Sequence, residues 1–200
     1  IDPIVESIKI TLYRVADASR IANSLVNAVK NGKKVTVLVE LQARFDEENN
    51  IYWANKLQEE GAQVIYGVTG LKVHSKLCLI TAKVNGKEIK CAHVGTGNFN
   101  EKSARIYTDF SLITCDKRIT EEVTKVFDFY IDNFKVGNFK HLAVAPFYMR
   151  KMFTAHINKE INFAKAGKKA SIILKMNSLV DREMILKLYE ASNAGVKVTL

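Results

Sequence analysis

The sequence predicts an α/β fold: a mixed sheet flanked by helices, followed by the beginning of a second copy of the same fold. Three observations carry this. From Ser7 to Tyr66 strand-like and helix-like runs alternate as β-α-β-α-β, the grammar of a parallel sheet with right-handed crossovers. After Gly70 three strand-like runs follow, with no helix between the first two. Finally, Ser171 to Leu200 repeats the plan of Ser7 to Leu38.

Ser7 to Tyr13 (SIKITLY) reads as a strand with Arg14 at its end. Asp17 is placed to cap the next helix, whose apolar stripe is Ile21, Leu25, Ala28 and Val29, and Asn31-Gly32 stops it. Lys34 to Leu41 is β-branched and almost continuously apolar, as suits a strand buried on both faces. Gln42 to Phe45 leaves its carboxyl end. A helix from about Asp46 to Glu60 then turns Ile51, Trp53, Ala54 and Leu57 inward and ends at Gly61. Val64 to Tyr66 is a third strand. Ligands of such sheets gather at the carboxyl ends of the strands, where Arg14 and Arg44 both fall.

Val73 to Ala82 and Glu88 to Val94 read as a hairpin, because Asn85-Gly86 between them is the strongest short turn signal. Asp109 to Cys115 is the next strand, and a helix follows from about Ile119 to Phe134. Gly137-Asn138 marks a boundary, giving one domain over residues 1–140 and the start of another over 141–200. Past it, a helix runs from Phe147 to Ala166 and Gly167 closes it. In the repeat, SIILKM answers SIKITL, Asp181 answers Asp17, Ile185 answers Ile21 and GVKVTL answers GKKVTVL. The offset is 164 from Ser7 to Ser171 and 163 from Lys34 to Lys197.

Two hundred residues, 48% of them hydrophobic, suffice for one filled core or for one domain and part of a second. Two prolines and ten glycines argue against a disordered or low-complexity chain. The formal charge of +9 favours a polyanionic partner without choosing among nucleic acid, nucleotide, anionic lipid and polyphosphate, and a merely solvated basic surface explains it as well. Cys78, Cys91 and Cys115 are odd in number and lie in strand-like runs, so they read as reduced core residues of a cytosolic protein. No apolar run approaches the length of about 20 residues that a membrane span needs. Ile1 in place of a start Met reads as a chain excised from something longer.

The chemistry concentrates between Gly70 and Asn100. Alternation along a strand puts His74, Lys76 and Cys78 on one side, so an imidazole and an ammonium share one space. The lysine would lower the imidazole pKa by like-charge repulsion and stabilise a phosphoryl group in transfer. Gly95-Thr96-Gly97-Asn98 adds glycines that permit close approach to an anion, with Thr96 and Asn98 as donors. His93, His141 and His156 have no comparable company. Together, His-x-Lys and the later Gly-Thr-Gly-Asn resemble the half-motif of the phospholipase D superfamily, with Thr81 where that pattern keeps an aspartate. A phospholipase D-like mixed sheet is therefore the expected form of the α/β fold.

With YRVADASRI, VTVLVELQARFDEENNIYWA, GLKVHSKLCLI, HVGTGNFNEKSARIYTDFSLIT, LVDREMI and GVKVTL assembled, the chain resembles bacterial polyphosphate kinases of the first type over nearly its whole length. The resemblance implies reversible transfer of the ATP γ-phosphate to inorganic polyphosphate through phosphorylated His74. It implies that Lys76 and Asn98 hold the phosphoryl oxygens and that Tyr107 contacts the nucleotide. It associates Arg14 and Arg44 with a Mg²⁺ site; a guanidinium cannot ligate a cation, so these residues are expected on the phosphates that carry the metal. It further implies ATP, ADP and polyphosphate as partners, no nucleic acid, a homo-oligomeric full-length enzyme, and a cytoplasmic location with peripheral membrane association. Residues past Leu200 would complete the site, so the fragment alone is expected to be inactive or nearly so as a kinase. The alternatives are a phospholipase D-type phosphodiesterase or nuclease working as a dimer, and a basic module that only binds polyanions.

Overall fold

The computed structural model describes residues 2–41, 43, 47–132 and 136–200. Two compact units are distinguished, Ile1–His141 and Leu142–Leu200.

In the first unit, strands β1 (Val5–Leu12), β2 (Lys34–Val39) and β3 (Gln63–Tyr66) run parallel, linked by helices α1 (Arg20–Lys30) and α2 (Glu47–Glu59). Strands β4 (Lys76–Val84), β5 (Lys87–Gly95) and β6 (Ser111–Thr114) are antiparallel to their neighbours, and helix α3 (Lys117–Ile131) follows. The resulting six-stranded sheet has the order β3-β2-β1-β4-β5-β6. It is the mixed sheet flanked by helices that the alternation of runs predicts.

Alternation in β2 explains why both faces are covered. Val35, Val37 and Val39 pack with Ala22, Leu25 and Val26 of α1 and with Trp53 and Leu57 of α2, whereas Leu38 packs on the opposite side with Val68, Val73 and Phe129 of α3. Burying each such Val or Leu contributes about 1.5–3 kcal/mol. The Asn85-Gly86 turn joins β4 to β5 with φ of 50° and 76°, the left-handed pair that a two-residue hairpin turn requires.

Several expectations are corrected. Ser19, not Asp17, caps α1: its side chain accepts from the Ala22 N–H, while Asp17 pairs with Lys102 at 3.0 Å. Ile51 is exposed and its neighbour Asn50 is fully buried. His74 precedes β4 rather than lying in it, because the Val73 N–H is taken by the Glu40 carboxylate and not by a neighbouring strand. Cys91 and Cys115 form a disulfide, leaving Cys78 as the free cysteine. Ala92 stands opposite Thr114, so the next pair along the ladder is Cys91 with Cys115, and their Cα atoms are 4.2 Å apart.

The second unit contains α4 (Met149–Lys165), β7 (Ser171–Ile173), α5 (Arg182–Asn193) and β8 (Lys197–Thr199). Ile157 and Ile161 of α4 pack with Leu188 and Ala191 of α5 and with Val196. β7 and β8 are parallel, with Ser171 opposite Lys197, as Ser7 is opposite Lys34. Among the described residues, no helix is long and apolar enough to cross a membrane.

Candidate active site

Antiparallel pairing sets Cys78 of β4 opposite Ile10 of β1, so the start of β4 lies beside the carboxyl end of β1. Segment 73–77 is fixed there by side chains from three elements. Thr11 Oγ1 of β1 donates to the Ser75 carbonyl at 2.7 Å and accepts from the Leu77 N–H at 3.0 Å. Glu40, at the end of β2, accepts from the Val73 N–H at 2.9 Å. Tyr130 of α3 meets the Ser75 hydroxyl at 2.7 Å. Behind them the buried Asn50 side chain donates to the carbonyls of Tyr13 and Glu40 and accepts from the Val15 N–H, clamping the ends of β1 and β2 together. Each buried polar group so satisfied avoids a desolvation cost of about 1–3 kcal/mol.

His74 and Lys76 are brought together by more than alternation. Lys76 Nζ donates to the His74 carbonyl at 2.5 Å, and the His74 ring meets the Tyr13 ring edge-on, with centroids 4.4 Å apart. Arg14 joins the same aromatic, its guanidinium carbon 5.8 Å from the Tyr13 centroid. The His74 side chain stays open to solvent. Its pKa is nonetheless lowered, first by partial burial of the ring and then by the charges of Lys76, Lys72 and Arg14, which favours the neutral imidazole. Lys76 is buried, and burial with the nearby Arg14 charge pulls its pKa down to about 8, against an opposing pull from Asp109.

Asp109 ties the glycine turn to this site. Thr96 Oγ1 donates to its carboxylate at 2.8 Å and accepts from the Phe110 N–H at 3.0 Å. Both glycines make room for neighbouring side chains: a Cβ at Gly97 would lie 2.5 Å from Asp109 Oδ2, and one at Gly95 would lie 2.6 Å from His93 Cε1. Asn98 is half-buried, and its Oδ1 has no hydrogen-bond partner among the described residues. Tyr107 is exposed, and among the described residues its side chain makes no hydrogen bond or ring contact with His74. Arg44 lies outside the described residues.

Sequence reasoning passed over Thr11, Tyr13, Glu40, Asn50, Asp109 and His93. His93 shares its Nε2 with the Ser111 hydroxyl at 3.0 Å. Glu40 carried a signal, a carboxylate within the apolar run Val37 to Leu41, whereas Thr11 follows the polar-apolar alternation of its strand and carried none. Burial pushes the Cys78 thiol up to about 11, which disfavours the reactive thiolate.

The fold and the site define a class, an α/β domain that presents an imidazole among cations at the strand ends of a mixed sheet. The chain belongs to the polyphosphate kinase family: the model of polyphosphate kinase C-terminal domain 1 matches residues 1–136, and that of C-terminal domain 2 matches residues 142–200. It is 54% identical to polyphosphate kinase from Vibrio vulnificus strain YJ016 and 52% identical to that from Escherichia coli K12, over 199 residues in both cases. The whole of this chain is covered in each comparison, and it spans 28% and 29% of those relatives' lengths. The crystal structure of polyphosphate kinase from Porphyromonas gingivalis superposes with a TM-score of 0.84 at 41% identity, covering 99% of this chain and 33% of that one.

Proposed function

We propose that this chain supplies the nucleophile half of an ATP:polyphosphate phosphotransferase. The neutral His74 imidazole attacks the γ-phosphorus of ATP; a P–N bond forms, the bond to the ADP oxygen breaks, and ADP leaves. A terminal oxygen of polyphosphate then attacks that phosphorus, the P–N bond breaks, and the chain is one phosphate longer. Both steps run in reverse to make ATP.

The observation that carries this reading is the solvent-open His74 ring, biased to its neutral form, with Arg14 and Lys76 gathered on the same neighbouring aromatic. The neutral ring has the lone pair for attack, and the two cations can take up charge spreading over the phosphoryl oxygens. Asn98 adds an amide whose rotation turns an NH₂ donor toward those oxygens. Tyr107 offers an exposed ring to the nucleotide base. Arg44 is assigned to the phosphates beside Arg14 on the family resemblance.

Mg²⁺ enters as a companion of the nucleotide phosphates. Arg14, Lys72 and Lys76 cannot ligate a cation, and among the described residues no group of three or more His, Cys, Asp or Glu is placed to hold one. That donor set does not fit a protein-held ion. A homo-oligomer in the cytoplasm, associated peripherally with the membrane, completes the reading by resemblance. The phosphodiesterase alternative is disfavoured by the family match and by Thr81, which stands where a carboxylate would be needed.

The test is incubation of the full-length protein with γ-labelled ATP. Acid-labile phosphate is expected on His74 and none on His74→Ala; undiminished labelling of the variant would overturn the assignment.

A further inference from the structure

Tyr13 is buried at the carboxyl end of β1, its carbonyl held by Asn50 Nδ2 at 2.9 Å. Around its ring stand Lys76 Nζ at 4.9 Å, Lys72 Nζ at 5.5 Å and the Arg14 guanidinium carbon at 5.8 Å, together with the edge-on His74 ring. All three cations lie within the distance of about 6 Å at which a ring quadrupole attracts them. Like charges gathered this closely repel one another, so the cluster needs a group that draws cations together. An aromatic face attracts cations while carrying no net charge, so it holds the cluster and leaves its positive potential intact.

We propose that Tyr13 is a positioning residue for phosphoryl transfer: its π face holds Arg14, Lys72 and Lys76 around His74, and its contact with the imidazole fixes that ring's orientation. The proposal rests on His74 as the phosphoryl acceptor. The quadrupole, rather than the hydroxyl, does the holding, so electronic and steric replacements should separate.

The experiment replaces Tyr13 in the full-length protein by Phe, by mono-, di- and trifluorinated phenylalanine, and by Leu. Fluorination weakens the quadrupole in steps while nearly preserving shape, so a purely packing role would give a flat series. Labelling of His74 by ATP is expected within about threefold of the parent for Phe, falling stepwise to about 30-fold slower for the trifluoro ring and for Leu. A second readout needs no turnover: binding of inorganic tripolyphosphate, measured in a His74→Ala background, should weaken along the same series. A binding series that stays flat overturns the role of Tyr13, even where the parent labels normally. If the parent carries no phosphate on His74 but binding still falls along the series, the kinase reading fails and the role of Tyr13 in holding the cations stands.

Discussion

In the first unit Ser7 of β1 stands opposite Lys34 of β2; in the second, Ser171 of β7 stands opposite Lys197 of β8. The two strand-helix-strand segments share one register, yet their carboxyl ends differ in chemistry. Carried across by the offset of 164, Tyr13-Arg14 becomes Asn177-Ser178, with neither an aromatic to collect cations nor a cation to collect. Register follows from apolar runs and turn residues, which both copies retain. A site needs the residues just past the strand and the side chains that hold them; in the first copy these are Tyr13 and Arg14, with Asn50 holding the Tyr13 carbonyl.

The largest expected effect comes from the clamp behind that site. Asn50→Leu would leave the Val15 N–H and the carbonyls of Tyr13 and Glu40 without their partner in a buried setting, a loss of about 3 kcal/mol or more. Hydrogen exchange should rise at the ends of β1 and β2 while β7 and β8 keep their protection. Equal loosening of both copies would show that the clamp is not local and would blur the contrast between them.

Lys76 gives a smaller effect with a definite pH signature. Its folded pKa is about 8 against an ordinary 10.5, so between those values the folded protein binds fewer protons than the unfolded chain, and stability rises with pH across that window. Below about pH 8 the buried ammonium costs its full amount. Lys76→Met is therefore expected to raise stability at pH 7 by about 1–2 kcal/mol, after allowing for the lost bond to the His74 carbonyl, and by little near pH 10.5. Urea midpoints at the two pH values check this, and a gain independent of pH would contradict the buried charge. His74 labelling by ATP should fall in the same variant.

The fold was largely legible because its signals are local: period-two and helical runs, the Asn85-Gly86 turn, and a repeat whose offset matches the strand register of both copies. His74, Lys76 and Arg14 were legible as charged residues at strand ends. What orders them was not. Glu40 reaches Val73 across 33 residues, Asn50 reaches Tyr13 across 37 and Thr11 reaches Ser75 across 64, and such pairings follow from strand order, which no single run encodes. The Cys91–Cys115 bond escaped for the same reason. Two cysteines in separate apolar runs look like core residues until the register of β5 against β6 places them side by side.

The smallest effect separates the repeats at their helix caps. Sequence alignment equates Asp17 with Asp181, but only Asp181 caps: its carboxylate accepts from the Met184 N–H at the start of α5, whereas α1 is capped by the buried Ser19. Ser19→Ala should therefore cost about 1 kcal/mol of stability in the first unit. Asp17→Ala should leave α1 unchanged, since it removes solvent-exposed contacts with Lys102 and Asn49 and none with the start of the helix. Asp181→Ala should lower amide protection in the first turn of α5, where the Met184 N–H loses its acceptor. Comparing amide protection at Ala22 and Met184 across the three variants decides the matter. A loss at Ala22 in Asp17→Ala as large as that at Met184 in Asp181→Ala would mean that the two copies begin their helices alike after all; a loss confined to Ser19→Ala and Asp181→Ala means that the repeat kept its register while its cap moved two residues along the chain.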